Sequence, residues 1–257
     1  MLINLNNQNQ STRVSIYLSP VLLLLFSVIF FPGYLTAQKS EATSSANIET
    51  ISIQAFEAKI IKEAHPQIVD TRLPEEYAYN HLLHAVNVDV EGGHYQQQVD
   101  LLEKNRPVFV YAIGNGRSAK LAAELAAAGY AKIYVLNGGI GGWIGNGKPI
   151  FSSVKDGFTL ADLNAIIVAH PWVLVDLHTR YCPGCRKLQP TVDSLIQEYG
   201  NTLKVVKIDV YDNPVIAGIF KVPAIPTLIV YKNGSIVWQK TGAGIYKEQV
   251  EKVLAAR

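Results

Sequence analysis

The sequence is poor in the residues that usually cross-link small exported proteins. It contains only two cysteines, Cys182 and Cys185, and a single methionine among 257 residues. A framework of several disulfides is therefore excluded. The net charge of +2 creates no strong field, and no basic stripe is present, so we expect no nucleic-acid binding. With 49% hydrophobic and 17% charged residues, the composition is that of a globular protein, and the length suits two ordinary domains.

A long apolar run occurs once, near the N-terminus. Residues 14–31 follow a polar segment with one basic residue, Arg13, and precede the small residues Thr36 and Ala37. This order is typical of an export signal cleaved after Ala37, and the run also approaches the roughly 20 residues that a membrane anchor needs. We therefore expect residues 1–37 to be a signal peptide or an N-terminal membrane anchor and residues 38–47 to be a tether. The rest is expected in the bacterial periplasm, either soluble or tethered.

The two cysteines lie together in the segment YCPGCRK. A zinc site would need further ligands at suitable spacing, and no second CxxC or histidine pair accompanies them. The loose group of His81, His84 and His94 is more typical of loop or core histidines. We therefore expect no metal and no other cofactor, and the pair is predicted to be redox-active.

The sequence around the cysteines favours redox chemistry. A strand-like run, WVLVDL, precedes the pair, and Leu188 and Val192 follow it at helical spacing. Cys182 is thus predicted at the N-terminus of a helix, next to Arg180, Arg186 and Lys187. The helix dipole and the neighbouring cations favour the thiolate, so Cys182 is predicted to attack a disulfide. Cys185, one turn later, is predicted to resolve the mixed disulfide.

A single carboxylate, Asp176, interrupts the strand-like run before the cysteines. Burial would raise its pKa and allow it to exchange a proton with the leaving thiol. Lys207, in the neighbouring strand candidate LKVVKIDV, is the expected partner of this carboxylate. The alternative is an aspartate at the end of a strand, facing water.

Residues from about 155 to 257 resemble the thioredoxin family along their whole length. The matching pieces are VLVDL, the CxxC, Pro190, VVKIDVYDNP, VPAIPTLIVYKNG and KTGA, in that order. The resemblance implies a central mixed sheet flanked by helices, with a cis-proline at Pro226 opposite the cysteines. It also implies a substrate groove that includes Tyr181, Pro183, Gly184, Ile225, Pro226 and Gly242.

Two positions depart from the thioredoxin pattern. The usual Gly-Pro between the cysteines is reversed to Pro183-Gly184, and His178 replaces a tryptophan. Since Ile225 before the cis-proline is similar to that of reducing thioredoxins, we expect reduction of disulfides in exported proteins, with electrons from a membrane donor. The alternatives are a disulfide oxidant or isomerase, and a module that binds a partner or a sulfur anion without redox turnover.

Residues 48–150 alternate strand and helix candidates, which predicts a parallel sheet with helices on both faces. The motifs VDTRLPEEY, HAVNV, YAIGNGRS and GGIGGW resemble a rhodanese-like domain. In that family a cysteine begins a CxxxxR loop and carries sulfur as a persulfide. The corresponding loop here consists of Ala112, Ile113, Gly114, Asn115, Gly116 and Arg117.

Alanine at the cysteine position has no chemistry with which to hold a persulfide, so we expect no sulfurtransferase activity from this domain. A scaffold or partner-binding role is expected instead. One alternative is that the loop amides and Arg117 hold a sulfur oxyanion, and another is that Cys182 reaches this loop from the second domain. The prediction is an α/β protein with an inactive rhodanese-like domain, residues 48–150, followed by a thioredoxin-like domain, residues 151–257.

Overall fold

The computed structural model describes residues 48–93, 95–154 and 157–256. The predicted export segment 1–37, the predicted tether 38–47 and His94 lie outside these residues. Within the described ranges, no helix is long and apolar enough to cross a membrane. The described residues belong to one compact unit.

The first domain alternates strands and helices. Its elements are β1 (Ile48–Ile51), α1 (Ile53–Lys62), β2 (Gln67–Asp70), α2 (Pro74–Tyr79), β3 (Asn80–Leu82), β4 (Val86–Asn87), α3 (Gln96–Asp100), β5 (Val108–Tyr111), α4 (Asn115–Ala127), β6 (Ile133–Leu136) and α5 (Gly139–Gly145). The second half of the chain follows a similar alternation. Its elements are β7 (Ile150–Ser152), α6 (Leu160–Ala169), β8 (Trp172–His178), α7 (Pro183–Tyr199), β9 (Lys204–Asp209), α8 (Pro214–Ile219), β10 (Thr227–Lys232), β11 (Ser235–Thr241) and α9 (Lys247–Ala255).

Five strands form the sheet of the first domain, in the order β1-β6-β5-β2-β4. All four pairings are parallel. Successive side chains of a strand point to opposite faces. Val108 and Val110 of β5 therefore pack with Leu121 of α4, whereas Phe109 packs with Phe56 of α1 on the other face. The predicted parallel sheet with helices on both faces is confirmed.

The sheet of the second domain is mixed, as predicted. Its order is β11-β10-β8-β9, with β8 and β9 parallel and β10 antiparallel to both of its neighbours. On one face, Leu174 packs with Leu188 of α7 and Val250 of α9. On the other, Val175 belongs to the same apolar cluster as Leu163 of α6. This second cluster also contains residues of the first domain, so one continuous core joins the two sheets.

The connection between the domains is itself a strand. β7 pairs antiparallel with β3 of the first domain, with Asn80 opposite Ser152 and Leu82 opposite Ile150. The predicted boundary between residues 150 and 151 therefore falls inside a paired strand. Because this pairing satisfies backbone groups of both strands, the connection is fixed against the first domain.

Helix α5 brings the two domains into backbone contact through its glycines. A Cβ added to Gly142 would lie 2.1 Å from the carbonyl oxygen of Pro223, and one added to Gly141 would lie 2.6 Å from Ile225 Cγ1. A Cβ on Gly145 would similarly lie 2.7 Å from Val222 Cγ2. Real Cβ atoms do not approach other atoms this closely, so only glycine allows α5 to lie against the 222–225 segment.

Polar contacts reinforce the same interface. The Val222 amide donates to the Gly145 carbonyl at 3.1 Å, and the Asn146 side-chain amide donates to the Val222 carbonyl at 2.6 Å. Arg72, which has no exposed surface, donates to the hydroxyl of Tyr211 in the second domain at 2.9 Å. Its charge is balanced by Asp70, with Nη2 2.7 Å from Oδ2. The buried guanidinium therefore has partners in both domains.

Candidate functional site

Cys182 lies where β8 is connected to α7. It is the N-cap residue of α7, and its Sγ accepts the backbone N–H of Cys185 at 3.1 Å. Pro183 occupies the first turn, where a proline has the right φ and no N–H bond is lost. A disulfide joins Cys182 to Cys185, with their Cα atoms 5.2 Å apart. The structure thus places the pair at the helix N-terminus predicted from the sequence.

Both cysteines are nearly buried in this disulfide-bonded state. Cys182 is 5% exposed and Cys185 is 8% exposed. Exposure therefore does not identify the attacking sulfur. The position in the helix identifies Cys182, because it is the N-cap and its sulfur accepts a backbone N–H, an arrangement that favours a thiolate.

Two arginines flank the pair, and their surroundings differ. Arg180 contacts both carboxylate oxygens of Asp212, at 3.0 and 2.9 Å, and lies 3.7 Å from Asp209. Arg186 donates to the Arg180 carbonyl oxygen at 3.1 Å and makes no ion pair within the part of the chain that the structure describes. Of these two arginines, Arg186 is therefore the one whose charge is not neutralised by a carboxylate.

Asp176 lies on β8 and is 4% exposed. Burial raises its pKa above the usual value for aspartate, while the positive charges of His178 and Lys207 lower it to a smaller extent. Lys207 stands opposite Asp176 in the β8–β9 register, but its Nζ pairs with Asp193 Oδ1 at 3.8 Å. The expected contact between Lys207 and Asp176 is thus replaced by a longer-range interaction, because Asp193 on α7 takes the ammonium group.

The predicted groove residues converge around the disulfide. The Ile225–Pro226 peptide bond is cis, and a Cβ added to Gly184 would lie 3.4 Å from Pro226 Cδ. The Gly242 amide donates to the Pro226 carbonyl at 2.8 Å, and its φ of +97° favours glycine. The ring of Tyr181 lies 5.8 Å from that of Tyr211. No hydrogen bond of the Ile225 backbone is found among the described residues.

The loop of the first domain has the same strand–loop–helix arrangement. Ala112 follows β5, is 1% exposed, and accepts the Ile140 amide at 2.8 Å, while Gly114 is the N-cap of α4. Arg117 does not point its charge at an open loop. Its Nη1 lies 2.8 Å from Glu76 Oε2 and 4.0 Å from Glu91 Oε2. This pairing was not predicted from the sequence, and it neutralises the positive charge that would bind an oxyanion.

The two loops line one cavity of about 360 Å³. The first domain contributes Ala112–Arg117 without Asn115, together with Leu73, Glu76 and Glu91, and the second contributes Arg180, Tyr181, Pro183 and Arg186. Neither the ion pair of Glu76 with Arg117 nor the contact of the α5 glycines with the second domain was predicted from the sequence. The glutamates of VDTRLPEEY and the many glycines of GGIGGW were the sequence features that could have indicated them. No group of three or more potential metal ligands occurs in residues 48–93, 95–154 and 157–256.

Comparison with protein families matches both halves of the chain. Residues 52–146 match the rhodanese-like domain, and residues 157–256 match thioredoxin. Thioredoxin of Porphyra purpurea is 42% identical over 82 residues, which are 32% of this chain and 76% of that protein. Thioredoxin of Bacillus subtilis is 43% identical over 70 residues, 27% of this chain and 67% of that protein.

Solved thioredoxin structures cover the same part of the chain. Oxidised mitochondrial thioredoxin 3 from Saccharomyces cerevisiae is 29% identical and matches 39% of this chain and 92% of its own, with a TM-score of 0.35. A thioredoxin from Plasmodium falciparum is 26% identical and matches 39% and 96%, with a TM-score of 0.34. The CxxC, the cis-proline, the mixed sheet and the sequence relatives together identify a thiol–disulfide oxidoreductase. The chain belongs to the thioredoxin family, with a rhodanese-like domain preceding its thioredoxin domain.

Proposed function

We propose that this chain is a thiol–disulfide reductase of the bacterial cell envelope, acting on disulfides of exported proteins. The observation that carries the proposal is the position of Cys182 at the N-cap of α7, beside the unneutralised Arg186. A thiolate is stabilised there by the helix N-terminus and by the cation. The cis-proline segment at Ile225 supplies backbone groups with which an extended substrate can pair.

The reaction proceeds in two exchanges. The Cys182 thiolate attacks one sulfur of the substrate disulfide, the substrate S–S bond breaks, and the other substrate sulfur leaves as a thiolate that takes up a proton. Cys185 then attacks the Cys182 sulfur, releases the second substrate thiol and closes the internal disulfide. The substrate gains two electrons and the cysteine pair loses them. A membrane dithiol donor then restores the reduced pair.

Asp176 is proposed to assist the proton transfers. Because burial raises its pKa, the carboxyl can hold a proton at a higher pH than an exposed aspartate. It can therefore take up a proton as Cys185 ionises and return it afterwards. Lys207 and His178 oppose the effect of burial, and so tune the pH at which this carboxyl changes charge.

The redox direction is tested by equilibrating the cysteine pair against glutathione. A reductase is expected to have a potential near that of reducing thioredoxins, about −270 mV, and to reduce insulin disulfides with dithiothreitol as donor. A potential near about −120 mV, typical of strong periplasmic oxidants, would contradict the proposed direction. A pair that neither equilibrates with glutathione nor reduces insulin would favour a binding module instead.

The first domain is proposed to be a catalytically empty scaffold for the second. Ala112 offers no sulfur nucleophile, and Glu76 neutralises Arg117, which disfavours an oxyanion in the loop. The Cys182→Ser, Cys185→Ser double variant should therefore show no thiosulfate–cyanide sulfurtransferase activity. Calorimetric titration of that variant with sulfate and thiosulfate should show no heat of binding. Sulfurtransferase turnover, or saturable binding of either anion, would instead show that this domain binds sulfur oxyanions.

Location and partners are proposed from the N-terminal sequence. The apolar run 14–31 is proposed to direct export, so that the cysteine pair works in the periplasm. In the native host, a Cys185→Ser variant should accumulate mixed disulfides through Cys182 with exported proteins. Fractionation should recover these adducts with the periplasm or the inner membrane. Adducts exclusively with cytosolic proteins would refute the proposed location.

A further inference from the structure

We propose that the cavity between the two loops binds small disulfides built from amino acids, of which cystine is the simplest, and presents their S–S bond to Cys182. This inference rests on the proposed function, because it takes the reduced Cys182/Cys185 pair as the electron source. It goes beyond that function by assigning a binding site and a class of small substrate.

The size and walls of the cavity suit a small molecule. Its volume is about 360 Å³, near the lower end of the range of ligand pockets, about 300–1,000 Å³. Tyr181 and Pro183, the residues on either side of Cys182, form part of the wall. The first domain forms the rest and is held in place by α5, which lies against the segment before Pro226. The cavity is thus a built feature of the domain interface and adjoins the reactive segment.

Glu76, which lines this cavity, has a buried carboxylate oxygen without a hydrogen-bond partner among the described residues. Glu76 is 1% exposed, and its Oε2 contacts Arg117 at 2.8 Å and accepts the Leu73 amide at 3.3 Å. No hydrogen bond reaches Glu76 Oε1 from any residue that the structure describes. Because buried polar atoms are almost always hydrogen-bonded, this oxygen points to a donor on a ligand. An ammonium group would make the strongest such bond.

The second domain offers the opposite charge. Arg186 lines the cavity, and within the described ranges it has no carboxylate partner, in contrast to Arg180. A guanidinium binds a carboxylate through two parallel hydrogen bonds. The cavity therefore combines an acceptor for an ammonium group with a donor for a carboxylate.

A disulfide of an amino acid carries both groups and is reactive toward a thiolate. An inorganic oxyanion fits less well, because it could accept from Arg186 but has no donor for Glu76 Oε1. Cystine satisfies the charge pattern with either of its identical halves. Its α-ammonium is assigned to Glu76 and its α-carboxylate to Arg186.

The reaction balances without a further cofactor. The Cys182 thiolate attacks one cystine sulfur, the cystine S–S bond breaks, and one cysteine leaves as a thiolate that is then protonated. Cys185 attacks Cys182, releases the second cysteine and forms the internal disulfide. One cystine is reduced to two cysteines for each dithiol oxidised, and an external dithiol restores the pair.

The test measures single-turnover oxidation of the pre-reduced full chain, near neutral pH, by four small disulfides. Cystine carries both charges, cystamine only the ammonium groups, dithiodiglycolate only the carboxylates, and hydroxyethyl disulfide neither. Each rate constant is divided by that of free dithiothreitol with the same disulfide, which removes differences in intrinsic reactivity. We expect the normalised rate for cystine to exceed each of the others by about tenfold and to saturate.

An Arg186→Gln variant separates carboxylate binding from activation of the thiol. Loss of a nearby cation raises the pKa of Cys182 and slows its reaction with every disulfide. Loss of a contact to the α-carboxylate slows the reaction with cystine more than that with cystamine. We expect the ratio of the cystine to the cystamine rate to fall about fivefold to tenfold in this variant. Lys187→Gln removes an adjacent cation that does not line the cavity and should leave that ratio unchanged.

The outcomes distinguish this inference from the function on which it rests. If the chain reduces insulin but reacts with cystine no better than with the neutral disulfide, the assigned site is wrong and the reductase function stands. If the cystine-to-cystamine ratio is the same in Arg186→Gln and in wild type, Arg186 does not bind the carboxylate, and the assignment again fails. If neither insulin nor any small disulfide is reduced, the proposed function itself is refuted.

Discussion

The β5–α4 junction of the first domain and the β8–α7 junction of the second have the same arrangement, in which a buried strand leads through a short loop to the N-terminus of a helix. In the first, β5 is followed by Ala112 and by the N-cap Gly114 of α4, and in the second, β8 leads to Cys182, the N-cap of α7. Both direct backbone N–H groups toward the loop. Only the second carries a nucleophile there. The same strand–loop–helix backbone can therefore occur with or without a nucleophile, and its chemistry depends on the side chain at that position.

The charges around the two junctions differ as well. Arg117, at the first, is held 2.8 Å from Glu76, whereas Arg186, at the second, makes no ion pair in the parts of the chain described. A thiolate would therefore gain more from its surroundings at the second junction. The first has alanine at the position of the nucleophile, and its arginine is paired with glutamates.

The largest expected effect comes from removing the thiol of the second junction. Cys182→Ser should reduce the rate of insulin reduction by at least about a thousandfold, because the attacking atom is lost. Ser235→Ala, an equally small change at the exposed first residue of β11, is the control and should leave the rate unchanged. A Cys182→Ser variant that keeps a tenth of the wild-type rate would transfer the attacking role to Cys185.

The packing of the first domain on the second is expected to show the next largest effect. Gly142→Ala places a Cβ 2.1 Å from the Pro223 carbonyl oxygen, and such overpacking should lower the free energy of unfolding by about 1–3 kcal/mol. Gly116→Ala, in α4, meets no atom within 4 Å and should raise it by about 0.5 kcal/mol. Denaturant unfolding of both variants measures the contrast. Equal shifts would show that close approach at α5 does not hold the domains together.

The local part of the structure could be predicted from the sequence. The alternating strands and helices, the position of Cys182 at a helix N-terminus and the burial of Asp176 follow from short patterns and motifs. The pairing of β7 with β3 could not be predicted, because Ile150–Ser152 is too short and too irregular to specify a partner strand.

The ion-pair partners at the site could not be predicted from the sequence either. Arg117 could meet Glu76, Glu91 or an open loop, and Lys207 could meet Asp176 or Asp193, with the choice made by packing between distant segments. The glycines of GGIGGW were recognised as a motif, but their contact with Pro223 depends on where the second domain lies. Residue patterns report local conformation, whereas these contacts depend on the tertiary arrangement.

A thiol introduced at the first junction tests whether the electrostatics of the two loops differ. In Ala112→Cys on a Cys182→Ser, Cys185→Ser background, we expect the introduced thiol to titrate at or above the unperturbed value of about 8.5, because Glu76 and Glu91 are close by. Near neutral pH its alkylation should be about tenfold slower than that of Cys182 in a Cys185→Ser variant. Rates of iodoacetamide alkylation against pH give both values.

The control for this experiment removes the opposing charge. Adding Glu76→Gln should lower the pKa of the introduced thiol and bring its alkylation rate closer to that of Cys182. A thiol at position 112 that is already as reactive as Cys182 would show that the two loops differ only in their side chain and not in their electrostatics.

The smallest expected effect is on stability and concerns Asp176. Since burial raises its pKa in the folded state, the folded protein binds this proton more tightly than the unfolded chain does. The stability associated with that proton is fully present below the unfolded pKa, about 3.9, and is lost as the pH rises through the raised folded pKa. Asp176→Asn, which stays neutral, should therefore raise the midpoint of thermal unfolding by a few degrees near neutral pH.

The advantage of Asp176→Asn should shrink as the pH is lowered and vanish once the carboxyl is protonated in both states. Glu248→Gln, at an exposed carboxylate on α9, is the control and should show a much smaller dependence on pH. An Asp176→Asn variant that is less stable than wild type at neutral pH would indicate that the ionised carboxylate is held by favourable contacts.

The glycine face of α5 has a consequence for how this gene can change over generations. A domain without contacts to its neighbour could be deleted or exchanged by recombination. Here, deletion would uncover Val222 and Ile225 beside the cis-proline and would remove Arg72 from the hydroxyl of Tyr211. The thioredoxin domain would lose part of the surface on which its own folding depends. A deletion that treats the two domains as separable modules would therefore remove packing that the thioredoxin domain uses.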